Sequence, residues 1–269
     1  MEIKKKIIQH LPDGLFVKLK KWGWYGDFEV WQEAKDKSGS WDADNILKRV
    51  ASSLLKVKNG EAGYERDSVL FDKIEYNWEL LAIMMCIAAQ NEARLNLIDF
   101  GGSLGSTYYQ NKKYLDSLIS VSWNIVEQPN FVEVGKKLFQ DEKLRFYHSI
   151  HECCSKPDQK IDVILFSSVL QYLDYPFDIL KEAFGFGIKY MIVDRTGFTL
   201  NNKERITIQK VPSTIYDASY PCRFFCEKDF IAFFEENNYG LISDFEALDE
   251  ANIPSKYKGF IFQLKTNNA

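Results

Sequence analysis

The 269-residue sequence predicts an α/β fold built on a doubly wound, mainly parallel seven-stranded sheet. Three observations predict it. From about residue 93 onward, apolar runs that end in acids or hydroxyls alternate with helical patterns, as parallel strands joined by helical crossovers do. One run, residues 161–167, is almost unbroken, as a strand covered on both faces should be. A glycine-rich turn follows the first run directly, at residues 101–105.

The expected strands are residues 95–100, 119–127, 144–147, 161–167, 190–194, 240–245 and 259–264. Helices are expected at about 107–118, 131–140, 177–184 and 230–238. Residues 1–92 differ in character and read as a helical, Trp-rich N-terminal cap. Helical spacing covers 44–55 and 71–91, with Leu80, Ile83, Met84 and Ile87 on one face. Tyr25-Gly26-Asp27-Phe28 reads as a turn, and Asn59-Gly60 with Ala62-Gly63 as a loop. Residues 93–269 form the main domain, with an insert at about 197–226.

Composition narrows the function classes. Hydrophobic residues make up 46% and charged residues 27%, enough for a core without disulfides or metals. The net charge of −4 suits no partner held by phosphate neutralisation, so no nucleic acid is expected. Lys4-Lys5-Lys6 is too short a run to change that and reads as a solvated face. The longest apolar stretch, residues 80–89, falls short of the roughly 18 residues of a membrane span. The N-terminus shows no apolar signal segment. A cytoplasmic protein without an integral membrane segment is expected. The five cysteines, Cys86, Cys153, Cys154, Cys222 and Cys226, lack zinc-type spacing and read as free thiols, with no metal site.

Ligands of such sheets bind beyond the carboxyl ends of the strands, so strand ends carry the candidates. The first strand ends Ile98-Asp99-Phe100-Gly101-Gly102-Ser103-Leu104-Gly105. Read against G-x-G-x-x-G, neither Gly101 nor Gly102 as first glycine supplies the other two, so a pyrophosphate loop is not expected. The second strand ends at Glu127, 22 residues beyond Gly105, where an acid can accept both hydroxyls of a ribose. The fourth runs into Ser167-Ser168-Val169-Leu170-Gln171-Tyr172. Its serines either cap a helix or face a ligand. The fifth ends Asp194-Arg195-Thr196. Arg195 there either grips a planar anion with two hydrogen bonds or pairs with Asp194.

Asp99 followed by Gly101 and Gly105 resembles motif I of the class I S-adenosylmethionine (SAM)-dependent methyltransferases, usually D/E-x-G-x-G-x-G, with Ser103 at the middle glycine's place. Further quoted segments are Trp24-Tyr25-Gly26-Asp27-Phe28 with Trp31, Ser167 to Tyr172, Asp194-Arg195-Thr196 and Ile215-Tyr216-Asp217-Ala218-Ser219-Tyr220-Pro221. Together they make nearly the whole chain similar to methyltransferases found with bacterial surface-polysaccharide and O-antigen biosynthesis genes. The resemblance implies a Rossmann-like sheet with an antiparallel C-terminal strand, and SAM as cofactor. It implies Asp99, Gly101, Gly102, Ser103, Gly105, Glu127, Ser149, Ile150 and Ser167 as the residues around SAM. Glu127 would hold the ribose, and Ser149 or the Ile150 backbone the adenine. It implies little about the acceptor; methyl transfer to a small molecule, such as a nucleotide-linked or lipid-linked sugar, is expected, with O-methylation favoured.

Displacement at a sulfonium carbon needs an acceptor held in line, and a sugar hydroxyl gains from a general base. His148, His151 and Asp194 are the candidate bases, the histidines because they titrate near neutral pH. Gln171, Tyr172, Arg195, Tyr216 and Tyr220 are the candidate acceptor contacts. Tyr216 and Tyr220 lie in the insert, which reads as an ordered lid, and tyrosine offers a sugar a flat face and a hydroxyl. Trp22, Trp24 and Trp31 either stack on a sugar or fill a helix–sheet interface. Two other readings stay open. One is a non-catalytic SAM- or nucleotide-binding protein, for which Ser103 speaks. The other is a nucleotide-sugar oxidoreductase, against which the failed dinucleotide pattern counts.

Overall fold

A computed structural model describes residues 22–39, 44–155, 160–212, 215, 218–247 and 249–266. Its N-terminal elements are β1 (Gly23–Phe28), α1 (Trp31–Asp36), α2 (Asp44–Lys58), β2 (Tyr64–Arg66), β3 (Val69–Phe71) and α3 (Trp78–Gln90). Then come β4 (Arg94–Phe100), α4 (Ser106–Leu115), β5 (Ser120–Val126), α5 (Pro129–Leu138), β6 (Leu144–Tyr147), α6 (Ile150–Cys154) and β7 (Val163–Ser167). A 3-10 turn (Leu170–Tyr172), α7 (Pro176–Gly185), β8 (Tyr190–Thr199), β9 (Arg205–Lys210), β10 (Ser219–Phe224), α8 (Glu227–Glu236), β11 (Tyr239–Glu246) and β12 (Ser255–Leu264) complete the chain.

The seven expected strands form one sheet in the order β11–β12–β8–β7–β4–β5–β6. β4 pairs in parallel with β5 and β7, and the parallel ladder continues to β6 on one side and β8 on the other. β12 runs antiparallel to both β8 and β11. Strand order therefore reverses at β4, whose carboxyl end opens between two diverging crossovers. The register sets Asp99 opposite Ile125 and Leu165, and Ser167 opposite Asp194, so the polar strand ends share one edge.

Strand alternation divides the core between the two faces. Leu95, Leu97, Trp123, Ile125, Leu165 and Ile192 pack one way, against buried residues of α2, α3, α4 and α5. Ile98, Val126, Ile164, Phe166 and Val193 pack the other way, against α6, α7 and α8. With both faces covered, β7 and β8 are buried nearly throughout, which is why β7 and the first four residues of β8 read as apolar runs. Fully burying one such side chain stabilises the fold by about 1.5–3 kcal/mol.

Several local expectations change. Residues 71–91 are not one helix: α3 begins only at Trp78, where the Asn77 side chain accepts from the Leu80 amide. Residues 64–71 instead make a hairpin whose turn residues Asp67 and Ser68 both have left-handed φ, +52° and +68°. That geometry matches the twist of paired strands. Tyr25-Gly26-Asp27-Phe28 is not a turn but part of β1, which bulges between Tyr25 and Phe28 and pairs with β9. β9 also pairs with β10. The insert and the N-terminal segment thus build one three-stranded antiparallel sheet, on which α1 packs through Trp31, Ala34, Ile206 and Ile208. Residues expected to cap the site therefore play two parts, α2 and α3 joining the main core and β1 joining the insert. Lys4-Lys5-Lys6, Trp41 and Tyr216 lie outside the described residues.

Candidate functional site

The turn after β4 is shaped by two carboxylates. Asp99 is 1% exposed and accepts a hydrogen bond from Trp123 Nε1 at 3.0 Å. Glu127, just past β5, receives the Ser103 amide on Oε1 at 3.2 Å and the Gln128 amide on Oε2 at 2.7 Å. Gly101 has φ +71°, and its amide donates to the Val126 carbonyl. Gly102 leaves the space that Asp99 needs: a Cβ there would stand 2.5 Å from Oδ2. Burial pushes both carboxyls up to about 7. For Asp99 the neighbouring Glu127 adds to the rise, while the Trp123 hydrogen bond opposes it. Two adjacent acids, one buried and one half-buried, are costly to ionise together unless a cation arrives, so this floor suits a positively charged ligand.

Above the floor lies a cleft of about 790 Å³, ample for a small molecule. The three-stranded sheet forms its roof through Trp24, Gln209 and Tyr220, and Tyr172 rises to meet it. The Tyr172 hydroxyl donates to Gln209 Oε1 at 2.8 Å, and its ring meets Tyr220 edge-on at 5.3 Å. One wall is a cluster of four charges. Arg195 holds Asp249 with two hydrogen bonds, Nε to Oδ2 at 2.9 Å and Nη2 to Oδ1 at 3.1 Å. Arg66 also reaches Asp249, at 3.2 Å, and Asp67 lies 3.6 Å from Arg195. Ser103, Ser168, Arg195 and Asp67 all line the cleft with φ between +50° and +55°. Non-glycine residues in that region cost about 1–3 kcal/mol each and gather where function holds them.

Most residues expected at the site meet here. Asp99, Gly101, Gly102, Ser103, Glu127, Ser167, Tyr172, Arg195 and Tyr220 all line the cleft. Others are placed elsewhere. Gly105 caps α4 with φ +107° and packs toward Leu144 and Ile125, behind the loop. Ser149 caps α6 by accepting from the Glu152 amide, and Ile150 is a core residue at 1% exposure, so neither side chain reaches the cleft. His151 is exposed and bonded to Ser155 Oγ, away from the cleft. His148 does line the cleft, but it follows β6, at the opposite edge of the parallel ladder from β8, so it stands on Glu127's side. Asp194 is 2% exposed and accepts from Asn77 Nδ2 and Ser167 Oγ, both at 3.1 Å. It ties α3 to β7 and is closed off as a base. Gln171 is buried too, and its Nε2 donates to the Arg195 carbonyl at 3.1 Å and the Ser168 hydroxyl at 3.4 Å. It braces two left-handed residues and does not face an acceptor. Arg195 makes its ion pairs with Asp249 and Asp67, where a pairing with Asp194 was expected as one alternative.

Tyr64, Glu65, Arg66, Asp67 and Asp249 line the cleft without having been expected there. Alternating residues on either side of Asp67-Ser68 gave a faint hairpin signal, weaker than the Asn-Gly type. Nothing near Asp249 marks it, since its partners are far away in sequence.

Ser103 stands at a φ of +55° that glycine adopts freely. Ser103→Gly removes that strain but loosens the unfolded chain by about 0.4–1 kcal/mol, so stability should stay within about 1 kcal/mol of wild type. Denaturant titration checks this. A larger loss would mean that the serine hydroxyl, and not only the backbone amide, holds the turn.

The chain matches no protein-family model and no curated protein. Solved structures resemble it in fold. LepI in complex with SAM aligns at TM-score 0.49 and 10% identity, over 69% of this chain and 46% of LepI. A SAM-dependent methyltransferase from Methanosarcina mazei aligns at 0.47 and 14%, over 65% of this chain and 95% of that one. The 1,6-didemethyltoxoflavin-N1-methyltransferase of Burkholderia thailandensis, solved with S-adenosylhomocysteine, aligns at 0.43 and 12%, over 85% and 93%. This chain spans less than half the length of LepI.

Proposed function

We propose that this protein is a SAM-dependent methyltransferase acting on a small molecule, with a hydroxyl of a sugar or related surface-polysaccharide intermediate as the acceptor. The observation that carries the reading is the floor of the cleft: Asp99 and Glu127 side by side, across a turn whose glycines leave room for a ligand. The strand order supports it, because the turn sits at the switch point of the sheet. Among the described residues no helix is long and apolar enough to cross a membrane, in keeping with a cytoplasmic enzyme using a diffusible cofactor.

The residues present fit SAM. Both Glu127 oxygens already take one amide each, and a carboxylate oxygen has a second lone pair for a ribose hydroxyl. Asp99, braced by Trp123, supplies negative charge at the turn, and Gly101 and Gly102 allow close approach. SAM, when bound, supplies a methyl group already activated by its sulfonium charge. The protein's share is then to position the acceptor and exclude water. Tyr172 and Tyr220 offer the acceptor aromatic faces, and the roof sheet closes the cleft above them.

Calorimetric titration with SAM and S-adenosylhomocysteine tests the reading. Micromolar-range binding is expected, weakened by about 1–3 kcal/mol in Glu127→Ala as one charged acceptor is lost. Because both acids are raised to about 7, affinity for SAM should climb from pH 6 to pH 8 as they ionise. Stability without ligand should run the other way. The folded state keeps these protons above the ordinary carboxylate range, so stability declines as pH rises from about 4 to 7. Unchanged affinity in Glu127→Ala would reject Glu127 as the ribose ligand, and a flat pH profile would show that both acids are already ionised at pH 6.

A further inference from the structure

The β2–β3 hairpin brings a third carboxylate to the cleft that the reading above does not use. Glu65 is 1% exposed and lines the cleft beside Ser106. Its Oε2 accepts from the hydroxyl of Ser106, the first residue of α4, and its Oε1 accepts from the Ser68 amide at 2.6 Å. Both donors are neutral. Burial pushes the Glu65 carboxyl up, its two hydrogen bonds oppose this, and among the described residues the charge acting on it is that of Asp67, which raises it further. The adjacent cation, Arg66, is committed to Asp249 at 3.2 Å and to Asp67 at 3.8 Å. A buried carboxylate without a cation is costly, whereas one on the wall of a cleft can receive its counter-charge from a ligand.

We propose that Glu65 is a ligand-binding residue that receives a primary ammonium group. The hairpin delivers it: two paired strands hold Tyr64 and Glu65 rigidly, and the bond to Ser106 anchors the carboxylate at the start of α4, directly after the glycine turn. The ammonium has two sources. One is the amino-acid end of SAM, which rests on the methyltransferase reading. The other is an amine on the acceptor. In either case Glu65 adds a third carboxylate, on the hairpin side of the cleft, to the two at the turn.

Glu65→Gln is the variant to make: glutamine keeps an acceptor for the Ser68 amide, its NH2 can donate to the Ser106 hydroxyl where the carboxylate accepted, and the charge is removed. Its melting temperature should equal or exceed that of wild type, because a buried charge is gone. Calorimetry would compare S-adenosylhomocysteine, which carries the ammonium, with 5′-methylthioadenosine, which does not. If SAM is the source, Glu65→Gln binds S-adenosylhomocysteine at least about tenfold more weakly and 5′-methylthioadenosine as wild type does, a change of roughly 1.4 kcal/mol or more. If the acceptor is the source, both adenosyl affinities hold. The protein saturated with S-adenosylhomocysteine then loses its preference for glucosamine over glucose. Glu65→Gln binding every one of these probes as wild type does would overturn the proposal. Wild-type protein that binds neither adenosyl compound would end the methyltransferase reading instead, and the glucosamine comparison would still decide Glu65.

Discussion

Gly102→Ala should weaken SAM binding by at least about 100-fold, or roughly 3 kcal/mol. The new methyl would stand 2.5 Å from Asp99 Oδ2, and closer still to its carboxyl carbon. The carboxylate cannot swing aside freely. It is 1% exposed and bonded to Trp123, itself fully buried. Either the turn shifts or that bond breaks, and both move the floor on which the ligand rests. Overpacking of this kind also costs about 1–3 kcal/mol of stability. Gly185→Ala is the control: that glycine ends α7, nothing lies within 4 Å of its added Cβ, and alanine there should be neutral or stabilising. Calorimetry and thermal denaturation on both variants check the expectation. Wild-type affinity in Gly102→Ala would show that the ligand lies elsewhere in the cleft.

Arg195→Ala should cost about 2–3 kcal/mol of stability, the low end for a buried pair because Arg195 and Asp249 keep about a fifth of their side-chain surface exposed. The guanidinium joins three parts of the chain, β8, the 249–251 segment and the β2–β3 hairpin, through Asp249 and Asp67. Without it Asp249 keeps only Arg66. Burial pushes the Asp249 carboxyl up, but Arg195 and Arg66 outweigh that and hold it below its ordinary value. A depressed carboxylate contributes stability above its unfolded value, near pH 4, and loses it as pH falls further. The gap between wild type and Arg195→Ala should therefore narrow in acid. Arg195→Lys should fall between the two, since one ammonium cannot reproduce the two-pronged grip. Denaturant midpoints at pH 7 and pH 3 measure this. A penalty under about 0.5 kcal/mol at pH 7 would mean that the cluster is no more than a surface pairing.

The order of strands and the floor of the cleft were legible in the sequence because both are local. A parallel strand buried on two faces reads as a near-continuous apolar run, as in Val163–Phe166 of β7 and Tyr190–Val193 of β8. A turn that seats a ligand against the backbone needs glycine within a few residues of a strand end, and Glu127 follows from one crossover length. Asp99, Gly101, Gly102 and Glu127 could be picked out for that reason. His151, Ser149 and Ile150 fall away from the cleft, because residues near a strand end share the composition of ligand contacts while helix α6 and its cap turn them outward or inward. Asp194 and Gln171 had the right position in sequence, but burial and committed hydrogen bonds made them braces.

What only the tertiary structure decided is the upper half of the cleft. β1 pairs with β9 across some 180 residues of chain, and Arg66 meets Asp249 over a similar distance. Such contacts leave little trace in local pattern, since a short polar-apolar strand or a lone acid reads the same with or without its partner. The sequence by itself determined the parallel sheet and the glycine turn after β4, because backbone conformation and strand burial impose residue types directly. The tertiary structure decided what stands over that turn, because charge pairing, roofing and the burial of Glu65 depend on which distant segments the folded chain brings together.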